Sequence, residues 1–87
     1  MPHILAKLNG IKAELIKEIL RRDAAQHAEQ GMYLQHLWQN VDDDEVLFLF
    51  RTDDHRRARK FIDRVHSQAL RENPSANLPQ MTFLEEK

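Results

Sequence analysis

The run Val46-Leu47-Phe48-Leu49-Phe50 constrains the fold more than any other segment. It is apolar at every position. Asp42-Asp43-Asp44-Glu45 precedes it and Arg51-Thr52-Asp53 follows it. An independent helix needs roughly twice that length, and a strand with one wet face alternates apolar and polar residues. A short unbroken run of branched and aromatic residues reads instead as a strand covered on both faces. The chain of 87 residues must therefore supply, or recruit, cover for two sides of one strand. A domain of this size buries only about 60–65% of its unfolded surface, so added core from a partner has a large effect.

The flanking segments supply the rest of the architecture. His3-Ile4-Leu5-Ala6-Lys7-Leu8 predicts a first strand, and Asn9-Gly10 a turn. Ile11, Leu15 and Ile19, with Ile16 and Leu20 beside them, recur at helical spacing. This helix is expected to run on through Ala24, Ala25 and Ala28 to Gly31 as its C′ residue. Met32–Gln39 alternates imperfectly and predicts a half-covered strand, joined by the acidic hairpin to Val46–Phe50. Thr52, Asp53 and Asp54 are N-cap candidates for a second helix with the stripe Ala58, Phe61, Ile62, Val65 and Ala69. Pro74 stops that helix, and Leu78–Leu84 predicts a last strand entered through Pro79. The order β-α-β-β-α-β over residues 1–87 describes one ferredoxin-like α+β domain, a four-stranded antiparallel sheet with two helices on one face.

Composition narrows the function. Charged residues are 31% and hydrophobic residues 41%, an ordinary globular balance. No apolar run approaches the ~18 residues of a membrane helix, which argues against a membrane partner. The amino end shows no signal-peptide pattern, so a cytoplasmic location is expected. The chain has no cysteine, which excludes disulfides, thiolate metal sites and cysteine nucleophiles. No glycine-rich phosphate loop and no Gly-x-Ser-x-Gly elbow is present, so nucleotide-binding and hydrolase readings have no support and no cofactor is implied.

The helices can cover only one face of the sheet. If Phe48 and Phe50 meet them, Leu47 and Leu49 lie on the other face, joined by Leu5 from the first strand. A contiguous apolar patch on a small domain marks an interface. The simplest cover is a second copy packed sheet to sheet about a twofold axis, with Leu5, Leu47 and Leu49 in the dimer interface.

The element order, the length and the two-faced third strand resemble the dimeric α+β-barrel superfamily, which includes antibiotic-biosynthesis monooxygenase-like proteins and small uncharacterised families. Leu37-Trp38-Gln39-Asn40-Val41-Asp42 and Phe50-Arg51-Thr52-Asp53-Asp54 look like the corresponding pieces of those small families. The resemblance implies the fold and the homodimer. It carries over no catalytic residue.

Polar residues on the presumed open face are the candidate ligand-binding set: His3 and Lys7 on the first strand, His36 and Trp38 on the second, and Arg51 on the third. Pairing Val41 with Val46 would set His36 opposite Arg51 and Trp38 opposite Leu49. Cations, imidazoles and an indole around an apolar hollow suit a small anionic or aromatic molecule, and a histidine can move a proton near neutral pH. The competing reading keeps Arg51 and Lys7 at the rim, paired with acids, and His36 on the surface. Two function classes follow: a small-molecule binder or cofactor-free monooxygenase-like enzyme, and a non-catalytic accessory or regulatory dimer.

Other clusters point less far. His3, His27, His36, His55 and His66 lack the i,i+4 pair with a glutamate that makes a helical zinc site, and Asp42–Glu45 lacks the spacing of a calcium loop, so no metal is expected. Arg56, Arg57, Arg59, Lys60 and Arg64 form the one basic cluster. RNA-recognition domains share this element order, but their third strand carries a glycine. Here Glu45–Arg51 has none and the net charge is −1, which argues against a nucleic-acid partner.

Overall fold

The computed structural model describes residues 2–87. Three strands alternate strictly or nearly so between less and more exposed residues, which is the signature of a sheet with unequal faces. They are β1 (Pro2–Asn9), β3 (Glu45–Thr52) and β4 (Gln80–Glu85). With β2 (Met32–Gln39) they form an antiparallel sheet in the order β2-β3-β1-β4. The two most apolar strands are therefore central, and the more polar β2 and β4 take the edges. The arrangement is an α+β fold of the ferredoxin-like kind, as the sequence predicts.

The helices are α1 (Ala13–Arg22), α2 (Ala24–Glu29) and α3 (His55–Glu72). The single first helix expected from the sequence is thus two. Asp23, at φ −95° and ψ 4°, breaks the run, and its carboxylate pairs with Arg22 at 3.1 Å. No side chain of α2 is fully buried, and the half-buried His27 packs edge-on to core Phe50 and Phe61. Gly31 does sit after the helix in the left-handed region, at φ 72°. Asp54 caps α3 by accepting from Arg56 N at 2.9 Å, and the helix ends at Glu72, before Asn73-Pro74.

The core lies between the helices and one sheet face. Ile4, Ala6 and Leu8 of β1 meet Val46, Phe48 and Phe50 of β3, with Met32 of β2 and Ala58, Phe61 and Ile62 of α3. On α1 the buried pair is Ile16 and Leu20, while Leu15 is exposed. The helix is rotated by about one residue from the stripe centred on Leu15 and Ile19, and Val65 of α3 is exposed too. An apolar stripe wider than the contact leaves its margins in water.

The β2–β3 hairpin differs from the expected register. Gln39, not Val41, pairs with Val46, so Trp38 faces Leu47 and His36 faces Leu49. Val41 is 93% exposed at the loop tip. Local hydrogen bonds favour the longer loop: Asn40 N donates to Glu45 O at 2.9 Å, Asn40 Oδ1 accepts from Asp42 N at 3.0 Å, and Asp43 Oδ1 from Asp44 N at 2.8 Å. A bulge between Leu34 and His36 then places Tyr33, rather than His36, opposite Arg51.

Candidate functional site

The uncovered sheet face is built in rows by the pairing of four strands. One row runs Tyr33–Arg51–His3–Leu84. The next runs His36–Leu49–Leu5–Thr82, and the third Trp38–Leu47–Lys7–Gln80. All five candidate ligand residues and all three candidate interface leucines therefore share this face. The register shift of two at the hairpin preserved the face of His36 and Trp38, because side chains alternate with period two.

The centre of the face is aliphatic. Leu5, Leu47 and Leu49 are only half-buried although they lie in central strands, because no helix covers them. The β2 margin is aromatic. His36 stacks on Trp38 with centroids 4.9 Å apart and planes 14° apart, and Trp38 is 46% exposed. The Arg51 guanidinium lies 4.6 Å from the Tyr33 ring centroid and 3.2 Å from Asp53 Oδ1. Tyr33 Oη donates to Asp53 Oδ2 at 3.4 Å. Asp53 thus fixes the arginine and the tyrosine together. Lys7 lies two rows away, about 13 Å along the strand at ~3.3 Å per residue, and carries no ion pair among the described residues. The face offers cations at both ends, leucines between them and a flat aromatic wall at one side. It can desolvate an apolar body and hold a negative group against a guanidinium.

The other sheet face holds two hollows that the sequence reading did not single out. One, of about 420 Å³, lies between α1 and the β2 edge, with Lys17 and Arg21 at its rim. The other, of about 250 Å³, opens between α1–α2 and α3 above Phe48 and Phe50. Leu20, His27, Met32 and Phe50 line both. His27 stands between them, edge-on to Phe50 at 5.4 Å and to Phe61 at 6.0 Å. Burial lowers its pKa, with nearby Asp23 acting in the opposite sense. His66, on the wall of the inter-helix groove, is lowered for the same reason, opposed by Asp63. The sequence signal for the first hollow was Lys17 and Arg21 spaced i,i+4, next to apolar Leu20.

His55, on α3, ties the helix to the edge strand rather than serving a site: its Nε2 lies 2.9 Å from Leu84 O, where it donates. The Arg59 guanidinium covers the Phe83 ring at 3.9 Å, and Arg57 donates to the Glu29 carbonyl. Among the described residues no three His, Asp or Glu side chains gather as a metal-ligand set. Nor is any helix among them long and apolar enough to cross a membrane.

No family model matches the chain, and no curated protein matches it. Among solved structures it is similar to the crystal structure of an uncharacterised NIPSNAP domain protein from Burkholderia xenovorans. The TM-score is 0.60 at 16% identity, over 100% of this chain and 95% of that one. At that identity the likeness shows the fold: a small α+β domain with a four-stranded antiparallel sheet.

Proposed function

We propose that this chain forms a homodimer of the dimeric α+β-barrel type and binds a small aromatic or anionic molecule between the two sheets. One observation carries the reading: Leu5, Leu47 and Leu49 lie side by side in central strands on a face that no element among the described residues covers. Apolar surface gains roughly 25 cal/mol per Å² on leaving water, and a twofold copy supplies a matching patch without a second gene product. His3, Lys7, His36, Trp38 and Arg51 then border the interface. An aromatic ring packs against the His36–Trp38 wall, and its carboxylate or phenolate meets Arg51. As a cofactor-free catalyst of the monooxygenase-like type, such a site would use His36 or His3 as proton acceptor. A cytoplasmic location goes with this reading.

Sedimentation equilibrium of the parent and of Leu49→Glu tests the dimer. The parent is expected as a two-subunit particle at micromolar concentration. The variant, which sets a carboxylate against its own symmetry mate, is expected as a monomer. A monomeric parent overturns the reading. Titration with 1-naphthoate, followed by Trp38 fluorescence, tests the site: saturable quenching that weakens in Arg51→Gln supports it. A well-formed dimer that leaves Trp38 unchanged by the ligand favours the accessory, non-catalytic dimer instead.

A further inference from the structure

We infer that the hollow between α1 and the β2 edge is a binding site for an amphiphile with a single negative head, of the medium-chain carboxylate class. It lies mainly on the face of the sheet opposite the leucine patch, reaches Tyr33 at the β2 edge, and does not depend on the dimer. Three observations converge. Its volume, about 420 Å³, falls within the roughly 300–1,000 Å³ of small-molecule sites. Its floor is Leu20, Met32, Leu34 and Phe50, of which Leu34 is 43% exposed on an edge strand. Its two charged lining residues are both cations, Lys17 and Arg21, one helical turn apart on α1. Neither holds an ion pair among the described residues, and no acid lines the hollow.

An exposed leucine beside two unpaired cations selects by charge and by apolar area together. A neutral hydrocarbon leaves the cations unused. A dianion without a tail leaves Leu34 in water. A carboxylate on an alkyl chain satisfies both, with its head at Lys17 and Arg21 and its chain along Leu20, Leu34 and Met32. α2 borders this hollow through Ala24 and His27. It buries no side chain fully and touches the core rings Phe50 and Phe61 through the half-buried His27.

The test uses the whole protein and 11-(dansylamino)undecanoate as a fluorescent probe, displaced by unlabelled competitors. The site predicts saturable binding at one probe per chain. Decanoate should displace the probe roughly tenfold better than octanoate, because two methylenes are lost. Decanol should compete more weakly than decanoate. Lys17→Gln with Arg21→Gln should weaken decanoate about five- to tenfold, the yield of two exposed ion pairs, while leaving decanol as it was. Leu34→Glu should remove both. Circular dichroism of each variant distinguishes loss of the site from loss of the fold, and the exposed double variant is the one least able to unfold the chain. Absence of probe binding overturns the proposal, as does equal competition by decanoate in parent and double variant. Loss of binding in Arg51→Gln with retention in the double variant would put the ligand on the other sheet face and overturn it as well.

Discussion

The imidazole of His36 lies nearly parallel to the indole of Trp38, 4.9 Å between centroids and 14° between planes. The two residues are next neighbours on one face of an edge strand, so their stacking makes a flat aromatic surface beside Leu49 and Leu47. It presents aromatic area to solvent as a plane, and it turns the only tryptophan of the chain into a reporter of whatever covers the sheet.

Trp38 emission should therefore depend on concentration. Dilution through the dissociation range should move the maximum to longer wavelength as the 46%-exposed indole regains water. Leu49→Glu should show the long-wavelength maximum at every concentration. A parent spectrum that does not move on dilution, together with one sedimenting species of monomer mass, would count against the sheet-to-sheet pair.

Phe48 and Phe50 meet edge-on at 5.8 Å beneath the helices and are almost wholly buried. Phe48→Ala should cost about 3–5 kcal/mol, a large part of the stability of so small a domain. Leu15→Ala, on the exposed margin of α1, should cost under about 1 kcal/mol. Urea melts of the two variants check the rotation of α1, since centring the helix on Leu15 would make both losses large.

Acid should destabilise the fold through His27 and His66. Burial lowers both pKa values in the folded state, so the unfolded chain binds these protons more readily. Their contribution is neutral above the unfolded pKa of about 6.5. Stability falls as pH drops below it, until the lower folded values are passed. His27→Leu should flatten part of this slope between pH 7.5 and pH 5.5. Melts in which the parent is equally stable at both values would refute the account.

Gly31 and Gly10 should respond differently to alanine although both have φ above 70°. The left-handed conformation alone costs alanine about 1–2 kcal/mol. At Gly10 the nearest atom to an added Cβ is 3.9 Å away, so that strain is the whole effect. At Gly31 the new Cβ would lie 3.3 Å from Asp53 Cβ. Asp53 N also donates to Gly31 O at 2.9 Å, and Asp53 holds Arg51 and Tyr33. Gly31→Ala should be the more destabilising and should weaken 1-naphthoate binding as well. Thermal melts and the Trp38 titration measure the two effects.

The basic segment of α3 is not a uniformly solvated face. Arg59 covers Phe83, and Arg57 reaches the end of α2. Arg59→Gln should cost about 0.5–1 kcal/mol and Arg56→Gln almost nothing. The Arg56, Arg57, Arg59 triple glutamine variant should therefore lose more than the under 1 kcal/mol of a purely solvated patch. Denaturant titration of the three variants separates these outcomes.

Period-two and period-3.6 patterns are local properties of a chain, and they were enough to place the elements. Val46–Phe50 had to be a strand, one of Thr52, Asp53 and Asp54 had to cap a helix, Pro74 had to follow its end, and Gly31 had to close the first helical stretch. The same parity placed His3 and Lys7 on one side of the first strand and Arg51 with Leu47 and Leu49 on the third, while His36 and Trp38 joined them only on an assumed hairpin pairing. Even the two-residue error at the hairpin left the face of His36 and Trp38 unchanged, because slipping a strand by an even number preserves its sides. Which residues meet across strands was not local. The pairing of Arg51 with Tyr33 depends on a bulge at Leu34/His36 and on hydrogen bonds inside the Asn40–Asp44 loop, neither of which leaves a mark on hydrophobic spacing. The kink at Asp23 was hidden for a similar reason: alanines continue a helical pattern equally well whether or not the core holds them, and α2 buries none of them. The hollow beneath Lys17 and Arg21 exists only because that kinked segment and an edge strand leave a gap between them, and a gap is a property of two packed surfaces rather than of either sequence.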